Sequence, residues 1–325
     1  MSTTYASTTG LDGLPVAVFI CAAGHSGSTL LDLLIGSHPA AMPLGEITQL
    51  PKNLALNTRC SCRARMRECP HWATVIDRLA AEPEFDGIRS DPYVLDLGMF
   101  EAGTVIDRKH QTALRKLWRR IVYAGAYAHW RWGLRPLAPL AAPVTRGARN
   151  KWHLFDILAA IDSRLLLVDS SKHYLEAAAL YLVAPQRTRI LFLVRDGRAV
   201  FYSGLKRGKP RHAALGAWSQ TYSRAEPLLR RIAKPNDLLR VRYEDLATNP
   251  AWELQRICRF VGLRFDSGML DFRSRLHHVA NGNDMRFESS AAIRLDETWR
   301  NALSRADFDY FEAHAGALNR RLGYQ

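Results

Sequence analysis

The chain has 325 residues, 47% of them hydrophobic, and a formal net charge of +14. That is enough apolar material for a sizeable core, in one large α/β domain or two smaller ones. The positive balance favours anionic partners such as nucleotides, nucleic acid, acidic sugars or an anionic membrane surface, and an odd count of five cysteines argues against a disulfide-framed secreted domain.

Residues 1 to about 14 read as a loose polar tail, without the basic region and apolar core of a signal peptide. No stretch approaches the ~20 uncharged apolar residues that cross a bilayer, so the expectation is a cytoplasmic protein. Pro15 to Ala22 predicts a buried strand that ends in a glycine turn, and Thr29 to Ser37 a helix that stops near His38-Pro39. From about Asp77 to Leu165 the pattern is mostly helical, except that LAPLAAPVTRGARN, from Leu137 to Asn150, reads as a loop or linker. Regular alternation then resumes. RLLLVDS from Arg164 and RILFLVRD from Arg189 predict strands, with helices at HYLEAAALYLVA from His173 and GRAVFYSGLKR from Gly197. A long helix follows from about Arg211, then a strand at LLRVRY from Leu238 and a helix at AWELQRICRFVG from Ala251. Ser304 and Asp307 have capping-box spacing ahead of a final helix.

Short strands separated by helix-length segments imply βαβ units. The predicted fold is α/β: a P-loop-like parallel sheet flanked by helices, one domain over residues 15–325 with a helical insertion at about 75–160. Ligands in such sheets bind at the carboxyl ends of the strands. GHSGST, DSSKH and RDGR each follow a strand directly, so three segments should meet at one edge.

In GHSGSTLL, Gly24 and Gly27 permit a tight turn that aims the amides of the loop and of the next helix at one anion. Ser26, Ser28 and Thr29 add hydroxyl donors. An ATP-type loop would carry lysine where Ser28 stands, so no β/γ-phosphate pair is expected. The bland alternative is a glycine turn that binds nothing. In LFLVRDGRAVFYSGLKR, Arg195 ends a strand, and Ser203 and Arg207 fall i, i+4 on one helix face. Arginine forks and a serine hydroxyl suit phosphate oxygens, which suggests a second anion site. A solvated charged helix is the alternative; it suits Arg198, Lys206 and Lys209 better than Arg195.

With two anion sites about a nucleotide apart, the chain resembles the sulfotransferases that use 3′-phosphoadenosine-5′-phosphosulfate (PAPS). The motifs SGST, VDSSKH, LVRDGRAVFYS, VRYEDLATNP, NGNDMRF and WRNAL occur in the family's order. The resemblance runs from about Val16 to the C-terminus, least clearly over about 75 to 160, and is closest to the bacterial branch, which shares features with tyrosylprotein and carbohydrate sulfotransferases. It implies that the loop of Gly24, His25, Ser26, Gly27, Ser28 and Thr29 holds the 5′-phosphosulfate, and that Arg195 and Ser203, with Arg207, hold the 3′-phosphate. A phosphosulfate carries less charge than a triphosphate and needs no metal, so none is expected. The family often has arginine or lysine where His25 stands; an unperturbed histidine there would be partly charged at neutrality.

Sulfuryl transfer should resemble phosphoryl transfer, with in-line attack on sulfur and catalysis by positioning and electrostatics. The candidate base is Glu46, placed like the glutamate of a "GE" in tyrosylprotein sulfotransferases; His173, His277 and His278 are rivals. Lys172, just after a strand, is the candidate for stabilising charge on the leaving phosphate. Arg286, and Arg294 with Trp299, lie in the segment that closes over the cofactor in the resembled family. The acceptor is expected to be a hydroxyl of a carbohydrate, glycolipid or small metabolite.

Two features stay open. Cys60, Cys62, Cys69 and His71 could ligate zinc, but C-x-C is tight for it; reduced structural cysteines or one disulfide fit the spacing better. The basic, aromatic segment 113–136 could meet an anionic membrane, a glycolipid or a single-stranded nucleic acid. The simpler reading is an amphipathic helix with aromatics inward and arginines wet. Rival functions are an ATP-dependent kinase, for which Asp169 and Asp196 are the nearest metal-binding candidates, and an inactive nucleotide- or nucleic-acid-binding protein.

Overall fold

The computed structural model describes residues 14–98, 112–288 and 292–325. Apart from Leu14, the expected tail lies outside the described residues. Five strands form the sheet: β1 (Val16–Cys21), β2 (Ala41–Gly45), β3 (Leu166–Lys172), β4 (Thr188–Val194) and β5 (Leu238–Arg242). Their order is β2-β3-β1-β4-β5, and every pairing is parallel. β1, VAVFIC, is buried on both faces, which is why it reads as a continuous apolar run rather than an alternating one. β3 and β4 flank β1 on opposite sides, so the loop after β1 emerges at the topological switch point.

The helices around the sheet are α1 (Ser28–Gly36), α2 (Leu50–Ala55), α3 (Pro70–Ala80), α4 (Ala113–Trp132), α5 (Ala138–Asp162) and α6 (Tyr174–Val183). After β4 come α7 (Gly197–Leu205), α8 (Arg211–Ile232), α9 (Tyr243–Thr248), α10 (Pro250–Val261), α11 (Trp299–Ala302) and α12 (Arg305–Arg321). Two apolar layers result. Phe19, Phe155, Phe192, Trp218 and Tyr222 lie in one, and Ile20, Leu31, Leu34, Leu193 and Ile257 in the other. The predicted cap is present: Ser304 accepts from the Asp307 amide at the start of α12.

The segment expected to be a linker, Leu137 to Asn150, is instead mostly the first half of α5. Pro139 falls in the first turn, where a missing N–H costs nothing. Ala141, Val144 and Ala148, then Lys151, Trp152, Phe155 and Leu158, fall at helical spacing on one buried face. Small residues and Pro143 hide that stripe from a composition reading. Gly147 lets the helix approach the Leu97–Gly98 backbone, about 3.3 Å from where a Cβ would stand.

Helix α5 is wired into the sheet. Lys151 of α5 is fully buried, with Nζ 3.0 Å from Asp169 at the end of β3, 3.1 Å from Glu176 and 2.8 Å from the Thr48 hydroxyl. Burial alone would depress its pKa, but Asp169 and Glu176 outweigh burial and hold it above the ordinary value.

α4 fits the simple amphipathic reading only in part. Tyr123, Tyr127 and Trp130 pack against the core, but Trp118 is 55% and Trp132 61% exposed. No described helix is long and apolar enough to cross a membrane.

Candidate active site

The carboxyl end of every strand delivers a residue to one cleft of about 770 Å³. β1 leads to Gly24, His25 and Gly27, β2 to Glu46, β3 ends on Lys172, β4 leads to Arg195 and β5 to Tyr243. Ser203 of α7 and Arg207, in the turn just after it, line the same space, as do Arg273, Asn283, Arg294 and Asp296. Five lysines and arginines therefore face three carboxylates, Glu46, Glu288 and Asp296, among the described lining residues.

The loop after β1 has the geometry of an anion cradle. Gly27 sits at the N-cap of α1 with φ +87°, and its missing Cβ would stand 2.4 Å from Tyr243 Cδ2. Only glycine meets both conditions without strain. The first amides of α1 have no partner within the helix and open at the cleft, where the helix dipole favours negative charge. No acidic residue stands in that first turn. His25 takes a left-handed φ of +65° without being glycine, a strain typical of functional sites.

Tyr222, from α8, holds the base of the loop. Its hydroxyl accepts from the Ala23 amide, donates to the Leu193 carbonyl at 2.8 Å and lies 3.1 Å from Ser26 Oγ. The Ser26 hydroxyl is therefore turned inward and fully buried, away from the cleft. Ser28 and Thr29 remain among the lining residues. No sequence signal marked Tyr222, which is one apolar-face residue of a long helix.

Arg195 is 7% exposed and tightly placed. Nη1 donates to the His25 carbonyl at 2.9 Å, Nη2 donates to Asp296, and the guanidinium lies 4.2 Å from the Tyr243 ring centroid. This couples the β1 loop to the 292–296 segment across the cleft. Arg207, in the turn just past the end of α7, has its Nη1 donating to both the carbonyl and the hydroxyl of Ser203, so the predicted pair meets although the helix stops short of Arg207.

His25 is not partly charged, as its ordinary pKa would suggest. Burial, then the positive charges of Arg207, Lys209, Lys172 and Arg195, push its pKa down to about 4. It is a neutral imidazole at pH 7 in the free chain, and its ring can still donate one hydrogen bond.

Glu46 and Lys172 form an ion pair inside the cleft. Each is held by unusual backbone. Lys172 has φ +75°, and a register shift in the β1–β3 pairing precedes it. Glu46 follows Gly45, whose φ is +70° and whose Cβ would strike the Asn281 carbonyl oxygen at 2.0 Å. The Glu46 amide donates to that same carbonyl at 3.0 Å. Behind it, the Gly45 amide donates to fully buried Asp32, whose carboxyl is held well above the usual range by burial and by Asp169.

The rival bases are elsewhere. His173 caps α6 through its Nδ1 and stacks on Tyr123 and Tyr174. His277 is buried against Ser37 and the Phe272 carbonyl. His278 faces three cysteines. Arg286 is not brought to the cleft lining either; it donates to Asn281 and to the Arg59 carbonyl, and Arg294 lines the cleft in its place. Trp299 is buried between Arg198 and Arg300. Asp169 is consumed by Lys151, and Asp196 by Arg198 and the cap of α7. Neither lines the cleft as a magnesium ligand would in a kinase. Asp296 and Tyr243 are cleft residues that motif reading missed.

A family profile described as "Sulfotransferase family" matches residues 15–267. The chain is similar to carbohydrate sulfotransferase 1 of Danio rerio, 32% identical over 91 residues, covering 26% of this chain and 21% of that protein. It is also similar to a candidate protein-tyrosine sulfotransferase of Caenorhabditis briggsae, 27% identical over 124 residues, covering 34% of this chain and 44% of that protein. Each match thus spans less than half of the relative's own length. A sulfotransferase domain from the Synechococcus PCC 7002 olefin synthase aligns over 96% of this chain and 95% of its own, with a TM-score of 0.48 and 19% identity.

Proposed function

The chain belongs to the sulfotransferase family, and we propose that it moves a sulfuryl group from PAPS to a hydroxyl of a carbohydrate, glycolipid or small metabolite. One observation carries the reading: both predicted anion-binding elements, the Gly24–Thr29 loop and the Ser203–Arg207 face, line a single cleft with Glu46 and Lys172. A nucleotide with a charged group at each end fits such a cleft.

In this reading the amides of the β1 loop and α1, with Ser28 and Thr29, bind the 5′-phosphosulfate, and Arg195, Ser203 and Arg207 bind the 3′-phosphate. The acceptor hydroxyl approaches beside Glu46, which takes its proton as the oxygen attacks sulfur in line. The S–O bond to the nucleotide breaks, and charge develops on the 5′-phosphate. Lys172 stabilises that charge. The Glu46–Lys172 pair of the free chain separates when the donor enters, so each group meets its own partner. No metal takes part in the scheme.

The test is a thermal shift of the full chain with 3′,5′-adenosine diphosphate, ATP and a short oligonucleotide, each with and without magnesium. A ligand that binds only the folded state raises the melting temperature by mass action. Preferential, magnesium-independent stabilisation by the first supports the proposal. Preference for ATP with magnesium would favour a kinase, and preference for the oligonucleotide a nucleic-acid-binding protein.

A further inference from the structure

The C-x-C spacing argued against a zinc site in the sequence, and the fold supplies what the spacing lacked. Residues 59–65 make a small knuckle: Arg59 and Arg65 bridge antiparallel, the Cys60 amide donates to the Ala64 carbonyl, and the Arg63 amide donates back to Cys60. Arg63 takes a left-handed φ of +71° to close the turn. Cys69 stands at the N-cap of α3, and Pro70 opens the helix. The fourth group is His278, from a segment more than two hundred residues away, and not His71.

The four donor atoms all lie within 4.8 Å of one another. Cys62 and Cys69 sulfurs are 3.6 Å apart, and Cys69 and Cys60 sulfurs 3.8 Å. His278 Nδ1 is 3.2 Å from Cys69 Sγ and 3.9 Å from Cys60 Sγ. Zinc–sulfur bonds of about 2.3 Å and zinc–nitrogen bonds of about 2.0–2.1 Å, arranged tetrahedrally, put sulfurs about 3.8 Å apart and sulfur and nitrogen about 3.5 Å apart. A disulfide would need sulfurs at about 2.05 Å. The His278 carbonyl is fixed by the Trp72 indole N–H at 3.0 Å.

We propose that Cys60, Cys62, Cys69 and His278 bind one structural zinc ion. Three soft sulfurs and one imidazole in a closed tetrahedron suit zinc over magnesium or calcium. The ion staples the knuckle and the start of α3 to the 277–281 strap. That strap also pairs with Ser61: the Ser61 hydroxyl donates to the His277 carbonyl and accepts from the Val279 amide, the Ser61 amide donates to the Val279 carbonyl, and the Asn281 carbonyl receives the Glu46 amide. The next residues, Gly282 and Asn283, line the cleft. The metal therefore braces the wall on which Glu46 rests and takes no part in bond breaking.

The experiment measures zinc in the full chain, purified under reducing conditions without a metal-affinity step, by mass spectrometry of the metal. Colorimetric zinc release during titration with a mercurial, and cobalt substitution, complete it. The expected result is one zinc per chain, released as the thiols are blocked, with a cobalt spectrum of tetrahedral thiolate type. Cys62→Ser, at the half-exposed ligand, and His278→Ala should lose the metal. Chelation should lower the melting temperature of the wild-type chain, restored by zinc and not by magnesium. A wild-type chain that takes up no zinc overturns the proposal, and so does a disulfide among the three cysteines. Zinc kept in full by both variants places the ion elsewhere and overturns it too.

Discussion

Two glycines of the β1 loop separate an anion cradle from an idle turn. At Gly24, an added methyl meets no atom within 4 Å, and φ is outside the left-handed region. Gly24→Ala should therefore change stability by no more than about 0.5 kcal/mol. The methyl would stand in the cleft, however, beside the amides that the anion approaches. A donor nucleotide displaced from even one charge-assisted hydrogen bond loses about 1.5–3 kcal/mol, roughly tenfold or more in Kd. At Gly27 the same substitution is structural. The left-handed backbone costs a non-glycine residue about 1–2 kcal/mol. The methyl would also press on Tyr243 at 2.4 Å and shift the ring from under Arg195, at a further cost of about 0.5–1 kcal/mol. Gly27→Ala should lose roughly 2–3 kcal/mol of stability as well as binding. Urea unfolding and calorimetric titration with 3′,5′-adenosine diphosphate measure both quantities on both variants. A Gly24→Ala chain that binds like the wild type would refute the cradle, and one that unfolds as easily as Gly27→Ala would refute the geometry of the loop.

Glu46→Gln should leave nucleotide affinity unchanged and cut turnover by roughly 10²–10⁴-fold, the worth of a general base, in an assay of sulfuryl transfer from labelled PAPS; full activity would remove Glu46 from that role. His25, lowered to about 4 in the free chain, binds fewer protons folded than unfolded between pH 6.5 and about 4. Its contribution to stability therefore rises with pH across that window and falls as the solution is acidified. An anion in the cleft offsets the cations that depress His25, so binding should take up protons near pH 6. Calorimetry in two buffers of different ionisation enthalpy reads that uptake, and His25→Asn should abolish the histidine's share. Lys151→Met leaves Asp169 and Glu176 without their buried cation and should cost about 3–5 kcal/mol in denaturant unfolding; a loss under about 1 kcal/mol would contradict a charged cluster there.

The strands were legible because both faces of a parallel sheet are buried, so VAVFIC and ILFLV show as unbroken apolar runs. The candidate site residues Glu46, Lys172 and Arg195, which fall at or just after strand ends, could be placed for the same reason. The first half of α5 was not legible, because Pro139, Pro143 and Gly147 carry loop composition while their neighbours keep helical spacing. Tyr243 and Asp296 were missed because motifs do not show which residues meet Arg195: Tyr243 follows the neighbouring strand β5 and also packs on Gly27, and Asp296 lies about a hundred residues along the chain. His278 could not be joined to the cysteines from spacing, since only the folded strap brings it to them; His71, two residues after Cys69, was the nearer choice in sequence and packs beside the cluster, stacked on His278.

The protein is proposed to grip one nucleotide at both ends, and two isomers with the same two phosphate groups placed differently test that grip. Calorimetric titration of the wild-type chain with 3′,5′-adenosine diphosphate and with adenosine 5′-diphosphate compares a phosphate at each end with two at one end. Tighter binding of the 3′,5′ isomer by about tenfold or more, lost in Arg207→Ala, is the predicted result, from one charge-assisted pair of about 1.5 kcal/mol at an exposed arginine. Equal affinity for the two isomers would contradict it.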